Sequence, residues 1–344
     1  MLFFLDSVGF WQSAANPLVK LACRLRITRD VEAYERARST SLTLATVIRG
    51  TEWRGKTAKD RSVQNTLRAL GRVVGFPNLL VLVDTQARCG EVPASFDGIR
   101  CHGLERCADA VYGAPSMKCI FQILLDEAKT EHVGYINGDM IIFRDFLETL
   151  AVIAREHDHF MMVGRRRNSQ VAVVEAKSYD DDSQTWRDLE TKACSMPLDG
   201  GGAMDYFVLP KSHAEYLRHI PPFIIGNWRW DNVVLSTAVM NSEIAVVDAT
   251  LTVTAVHQGT DEIERRENRP ASVHNHALAM KHMGRLYRLG SVKCADYASY
   301  FSLWRKQITL KRKTTLTLLL CKGRAARIQY TEKYGLPNVG ARKT

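Results

Sequence analysis

No two of the eight cysteines stand as Cys-x-x-Cys, which removes the ligand spacing of a zinc ribbon and the active pair of a thioredoxin-type redox site. Nothing in the 344 residues approaches the ~20 consecutive apolar residues of a membrane-spanning helix. The opening MLFFLDSVGFW is apolar but short. It carries Asp6 and no leading positive charge, so it is a poor secretory signal and reads as a segment packed on the domain or the remnant of an anchor. There is no internal repeat. Acidic residues almost vanish at the C-terminus, where residues 305–344 hold eleven basic side chains against Glu332 alone. That imbalance equals the whole formal net charge of +10 and leaves residues 1–304 formally neutral. A nucleic-acid-binding face over the whole protein is therefore not required. The tail itself is either a solvated extension or a contact for an anionic membrane, a nucleic acid or an acidic partner.

What is present is ordinary globular material, 46% hydrophobic and 24% charged, enough for one large α/β domain or two smaller ones. Ser41 to Ile48 reads as a strand, and residues 58–75 as a helix with Val63, Leu67, Leu70 and Val74 on one face. Asn78 to Val83 is a continuous apolar run closed by Asp84, as expected of a strand buried on both faces. Pro115 opens a further helix whose core stripe is Met117, Ile120, Phe121, Leu124 and Leu125. A strand from Val133 to Ile136, a helix from about Arg144 to Glu156 and the strand HFMMVG follow. Strand–helix alternation with short joins predicts a mainly parallel central sheet flanked by helices, with ligands beyond the carboxyl ends of its strands. Thr46 to Arg49, Asp84 and Asp139 all fall at such ends. Residues 165–205 are polar, with an acidic run at Asp180 to Asp182 and a triple glycine at 200–202; a stretch of this length and irregularity is often a functional loop. DYFVLP, a short helix near 229–240, IAVVDA and LTVTAVH look like a second half of the same sheet. The chain divides into an N-terminal segment (1–39), a domain (40–290) and a basic C-terminal extension (291–344).

The most informative local feature is Asn137-Gly138-Asp139-Met140, where a buried strand turns, projects a carboxylate and resumes as hydrophobic sequence. A carboxylate at the lip of a buried strand needs a partner, and a divalent metal bridging to phosphate is one; the competing reading is a plain surface turn. Six short motifs stand in order: Thr46 to Arg49, Asn137 to Asp139, Gly164 to Arg166, Asp205 to Pro210, Pro221 to Asn232 and Ala255 to His257. Over about residues 40–260 this series resembles the GT-A class of nucleotide-sugar glycosyltransferases. The resemblance implies a single GT-A (Rossmann-like) domain, a nucleotide-sugar donor (UDP-linked in many members) and a divalent cofactor, Mn²⁺ or Mg²⁺. It implies Asp139 as a metal ligand and offers His257 as a further one. Asn137 stands where the class usually has an acid; its amide still hydrogen-bonds a ribose hydroxyl but adds no charge.

The chemistry of breaking a sugar–diphosphate bond calls for positive charge at the leaving group. Arg49, Arg165 and Arg166 are candidates for phosphate contact, against the alternative of solvated strand ends. Thr46 belongs to the same donor-binding set. Asp84 either accepts from the donor base or caps the next segment. An inverting transfer needs a proton acceptor, for which Asp231 is the first candidate and Asp205 the second; Asp231 as a helix N-cap is the rival reading. Trp228 and Trp230 either stack on a sugar or base, or pack in the core. His274 and His276 read as surface residues. The acceptor is a hydroxyl of a glycan, protein, lipid or nucleic acid. A sugar-phosphate nucleotidyltransferase is a second reading, but VIRGTEWRGK has only Gly50 and Gly55 where that class carries a glycine-rich phosphate loop. A non-catalytic scaffold on the same fold is the third. The missing leader favours the cytoplasm or a peripheral membrane position, and an incomplete N-terminus would favour the secretory lumen. The even cysteine count leaves disulfides open.

Overall fold

The computed structural model describes residues 23–24, 41–49, 57–169, 183–259, 269–302, 307–313 and 321. The acidic run at 180–182, Gly50, Gly55 and most of the basic tail lie outside them. A nine-stranded sheet is built from β1 (Leu42–Ile48), β2 (Leu79–Val83), β3 (Arg100–Gly103), β4 (His132–Asn137), β6 (Phe160–Val163), β8 (Tyr206–Pro210), β9 (Ala245–Asp248), β11 (Tyr297–Ser302) and β12 (Gln307–Arg312). Its order is β12-β11-β9-β6-β8-β4-β1-β2-β3. Pairing is parallel except at β8, which runs against β4 and β6, and at the β11–β12 hairpin. Three short strands, β5 (Met140–Ile142), β7 (Arg167–Asn168) and β10 (Ala255–His257), form a separate small sheet. LTVTAVH therefore leaves the main sheet instead of extending it, because β10 pairs with β5 immediately after the Asn-Gly-Asp turn.

The continuous apolar strands have two faces to fill. Leu79, Val81 and Val83 of β2 pack with Leu67 and Leu70 of α1 (Ala58–Val74) and Phe146 and Leu150 of α3 (Asp145–Glu156). Leu80 and Leu82 pack on the other side with Ile120 and Phe121 of α2 (Met117–Glu127) and Val233 and Val234 of α5 (Trp230–Met240). A helix α4 (Ser183–Ala193) lies between β7 and β8 in the chain, and α6 (Pro270–Met283) follows β10. Thr57 and Asp60 close a reciprocal capping box at the start of α1, which satisfies two otherwise orphaned N–H groups. Pro115 does not open α2; Ser116 caps it, its hydroxyl accepting from the Cys119 amide. That placement follows from Ser being the better N-cap, with proline one residue outside.

One further expectation changes, and one open question closes. The sheet crosses the boundary expected near residue 290, since β11 pairs in parallel with β9 and β12 closes the edge. Part of the basic tail is thus a strand, with Ile308 buried against the fold. All eight cysteines are paired, as Cys23–Cys194, Cys89–Cys101, Cys107–Cys119 and Cys294–Cys321. Cross-links of this kind restrict the unfolded chain, each typically contributing about 2–4 kcal/mol. Unfolding the oxidised protein in denaturant with iodoacetamide should label none of the eight cysteines, and prior reduction should expose all of them and lower the urea midpoint. Full labelling without reductant would remove the disulfides from the description.

Candidate functional site

Level strand ends create the site. Val47 lies opposite Asn137 and Ile48 opposite Val83, so β1, β2 and β4 finish side by side. The Asn-Gly-Asp turn owes its glycine to this closeness: a Cβ on Gly138 would stand 2.4 Å from the Val47 carbonyl oxygen, backbone that cannot yield.

Asp139 follows, and β10 returns antiparallel with His257 opposite Met140. The Gln258 amide donates to the Asp139 carbonyl, while the Gln258 side chain is held in α1 by Asn65, Thr66 and the Ser62 carbonyl. This backbone pinning brings His257 Nε2 to 3.2 Å from Asp139 Oδ2. His257 is 5% exposed and Asp139 41%, so the imidazole sits beneath a carboxylate that is partly open to solvent. The other carboxylate oxygen, Oδ1, is buried with no hydrogen-bond partner among the described residues. Burial would push the Asp139 pKa up, but the hydrogen bond and charge of His257, helped by Arg166, hold it below the usual carboxylate range. Burial likewise opposes a charged His257, yet Asp139 raises its pKa.

Beside this pair runs a second network. Arg166, just beyond β6, donates from Nη1 to Asp205 Oδ2 at 3.0 Å and from Nε to Asp199 Oδ2 at 2.9 Å. Asn137 Nδ2 donates to the other Asp205 oxygen at 2.6 Å. The amide in place of an acid has a physical reason here. An aspartate at 137 would bring a second carboxylate against Asp205, whereas the amide supplies the N–H that Asp205 needs. Burial and the Asp139 charge still raise the Asp205 pKa against the pull of Arg166. The two acids keep Arg166 firmly protonated despite its burial. Arg165 donates from Nε to the Asp199 carbonyl at 2.6 Å. Burial lowers its pKa, only partly opposed by Asp248 and Asp199.

Sequence reasoning missed Asp199, which also accepts from Asn168 Nδ2 at 3.1 Å and from the Gly200 amide. Its available signal was the Asp-Gly step that opens the triple glycine. The expected base candidates lie in one electrostatic field. Burial pushes the Asp231 carboxyl up to about 7, and the Asp205 charge adds to it, against the Asn232 amide that donates to Asp231 Oδ1 at 2.8 Å. Asp231 is not an N-cap: that position is Arg229, at φ 87°, the one non-glycine residue in the left-handed region among those described. Trp230 is a core residue, edge-on to Tyr135 at 5.4 Å. Trp228 carries the Arg229 guanidinium 5.6 Å from its ring centroid. His274 stacks on Tyr112 at 5.1 Å and takes no part in the site.

Arg49 and Asp84 gather separately. Arg49 Nε binds Asp84 Oδ1 at 3.0 Å and its Nη2 reaches the Gly113 carbonyl. They line a cleft of about 480 Å³ with Lys59, Leu104, Ala108, Gly113 and Pro115. Asp84 is an ion-pair partner, and no helix N-cap falls on it. Thr46 does not reach this cleft. It is fully buried on the β1 face shared with Leu44 and Ile48, because strand alternation turns it away.

Among the described residues no group of three or more His, Cys, Asp or Glu could hold a metal ion. Asp139 and His257 supply two donors, one with an orphaned oxygen. That set suits a divalent cation whose remaining ligands come from phosphate and water.

No family model matches the chain, and no curated protein matches it by sequence. Solved structures resemble it in three dimensions. GalNAc-T7 with UDP, GalNAc and Mn²⁺ aligns at a TM-score of 0.43 and 12% identity, over 79% of this chain and 58% of that one. Mannosyl-3-phosphoglycerate synthase from Rubrobacter xylanophilus aligns at 0.42 and 12%, over 84% and 90%. Staphylococcus aureus TarS 1-349 aligns at 0.26 and 11%, over 40% of each. The match thus spans less than two thirds of TarS 1-349 and of GalNAc-T7, and likenesses this low assign nothing by themselves.

Arg166 is 11% exposed and Asp205 10%. Replacing Arg166 by Met should cost about 3 kcal/mol at neutral pH by leaving two acids without their cation. The loss should shrink as pH falls, because protonated carboxyls no longer need that charge. Urea midpoints of both proteins at pH 7 and pH 4 measure this, and an equal loss at both would contradict the electrostatic account.

Proposed function

We propose that the chain is a metal-dependent glycosyltransferase of the GT-A class, moving a sugar from a nucleoside diphosphate sugar to a hydroxyl acceptor. The observation that carries this reading is the Asp139–His257 pair, set at level parallel strand ends beside the Arg166–Asp205–Asn137 network. A divalent cation held by Asp139 and His257 would supply positive charge to the departing diphosphate. The cleft of Arg49 and Asp84 takes the nucleoside, with Asp84 as acceptor for a base N–H, and Arg165, at the end of β6, is the cation toward the diphosphate. Asn137, donating to Asp205, offers its amide oxygen to a ribose hydroxyl. Arg166 is neutralised by two acids, so its part is to hold the carboxylates in place more than to bind phosphate. Asp231 receives the acceptor proton: a carboxyl poised near 7 is matched to that task at neutral pH. The non-catalytic scaffold reading drew on Asn137 and is weakened by the structural reason for that amide. The four disulfides favour an oxidising compartment, such as the secretory lumen, over the cytoplasm.

Nucleotide release from a panel of nucleotide sugars, with and without Mn²⁺, tests the reading. Asp139→Asn should lower metal-dependent turnover on the order of 10²-fold, while Asp84→Ala should act chiefly through KM. No turnover by the wild type, together with no nucleotide binding by calorimetry in Mn²⁺, would sink the proposal.

Asp231 must be ionised to accept a proton, so kcat/KM should rise with pH through about 7. Asp231→Asn should remove that limb and cost roughly 10²–10⁴-fold in rate. A limb that persists in this variant belongs to another group.

A further inference from the structure

The first cation of the basic tail to follow β12 points inward. Lys313 Nζ binds Asp248 Oδ2 at 3.0 Å and the Val292 carbonyl at 2.6 Å. Its side chain is 18% exposed and that of Asp248 15%, so this pair is not the screened surface kind that contributes little. From each end of the Lys313 contact a chain of hydrogen bonds runs toward the candidate site. On one side, Asp248 Oδ1 accepts from the Thr250 hydroxyl at 2.5 Å, and Thr250 Oγ1 accepts from the Arg165 amide at 3.0 Å. Arg165 Nε then reaches the Asp199 carbonyl. On the other side, the Val292 amide and the Ser291 hydroxyl both donate to the Gly201 carbonyl at 3.0 Å. Asp199 and Gly201 belong to one loop, so the two chains close into a ring. The Cys294–Cys321 disulfide ties the tail to the same 291–294 turn.

We infer that Lys313 is a positioning residue for the phosphate side of the site: it closes a ring of contacts that fixes the Arg165–Arg166 strand end against the Asp199–Gly202 loop. This rests on the donor reading above, and it gives one tail residue a role that needs neither lipid nor nucleic acid. Among the described residues the ring meets the site at Arg165, at Asp199 and, by way of Asp199, at Arg166, and its 290–292 turn also accepts from Asn232 Nδ2, beside Asp231, through the Gly290 carbonyl. None of the ring residues lines the cleft at Arg49 and Asp84. Cutting the ring should therefore affect diphosphate and spare nucleoside. A plain structural clip would affect both alike.

Lys313→Met and Lys313→Arg are compared with wild type, in the full disulfide-bonded chain, for binding of UDP and of uridine with Mn²⁺ and for amide hydrogen exchange. Lys313→Met should weaken UDP about tenfold, the lower end of what loss of a supporting contact costs a bound centre. Uridine should stay within about twofold. Exchange should quicken at the Arg165 and Val292 amides, and Lys313→Arg should recover most of the UDP affinity. Unchanged UDP affinity, or equal losses for UDP and uridine, would overturn the inference. If wild type binds neither ligand, the donor reading fails on its own, and exchange decides the ring: loss of protection at both amides retains it and unchanged protection overturns it. Should Lys313→Met not fold, Thr250→Val cuts the same ring at a milder point and is read by the same outcomes.

Discussion

Three aspartates form a chain of like charges, and its buried middle member, Asp205, is held by Arg166. Asp205 feels the charge of Asp139, and Asp231 that of Asp205; burial adds to the difficulty of keeping them ionised. Arg166 meets Asp205 and Asp199 through separate guanidinium nitrogens, a task the fork shape of arginine suits and a lysine point charge does not. His257 does the same for Asp139 from below. Much else follows from that arrangement. The loop 199–205 must return to the end of β6, β10 must leave the main sheet to pass under the turn, and α1 must hold Gln258 so that His257 arrives at the right depth.

Much of the scaffold was legible in the sequence because its signals are local. The periodicity of Val63, Leu67 and Leu70, the unbroken Leu79–Val83 run and the Asn-Gly-Asp turn each report a structure made by neighbours in the chain. The separate β5–β7–β10 sheet was not legible, since it depends on β10 pairing with strands far back in the chain, β5 more than a hundred residues away. Thr46 shows the same limit at one position. It falls inside the Thr-x-x-Arg motif, yet strand alternation, which the motif ignores, turns it into the core. Asp231 was readable as an acid near a helix start but not as a first-turn residue, because the cap is set by the left-handed Arg229 and not by side-chain chemistry.

The tail illustrates a different failure. Composition treats eleven cations as one electrostatic object, but position along the chain separates them. Lys313 is committed to Asp248 and to the Val292 carbonyl, and residues 307–312 are an edge strand. A charge count cannot tell a buried ion pair from a solvated one. The cysteines behave alike: an even number permits pairing, and only the approach of Cys294 to Cys321, or of Cys107 to Cys119, turns permission into connectivity.

The amide at 137 bears on how much negative charge the cleft can carry. With Asp205 bonded to Arg166 on one oxygen and Asn137 on the other, each of its oxygens has a partner without any added cation. A second acid at 137 would compete for Arg166 and repel Asp139 across the Gly138 turn. The asparagine thus leaves Asp139 as the one carboxylate of this turn, partly exposed and with an oxygen that nothing in the described protein satisfies. A site with a single such acid and one imidazole has room for a cation chiefly when that cation brings anionic ligands of its own. On the proposed donor reading, metal and diphosphate would enter as one unit, coupled by the low acid count of the turn.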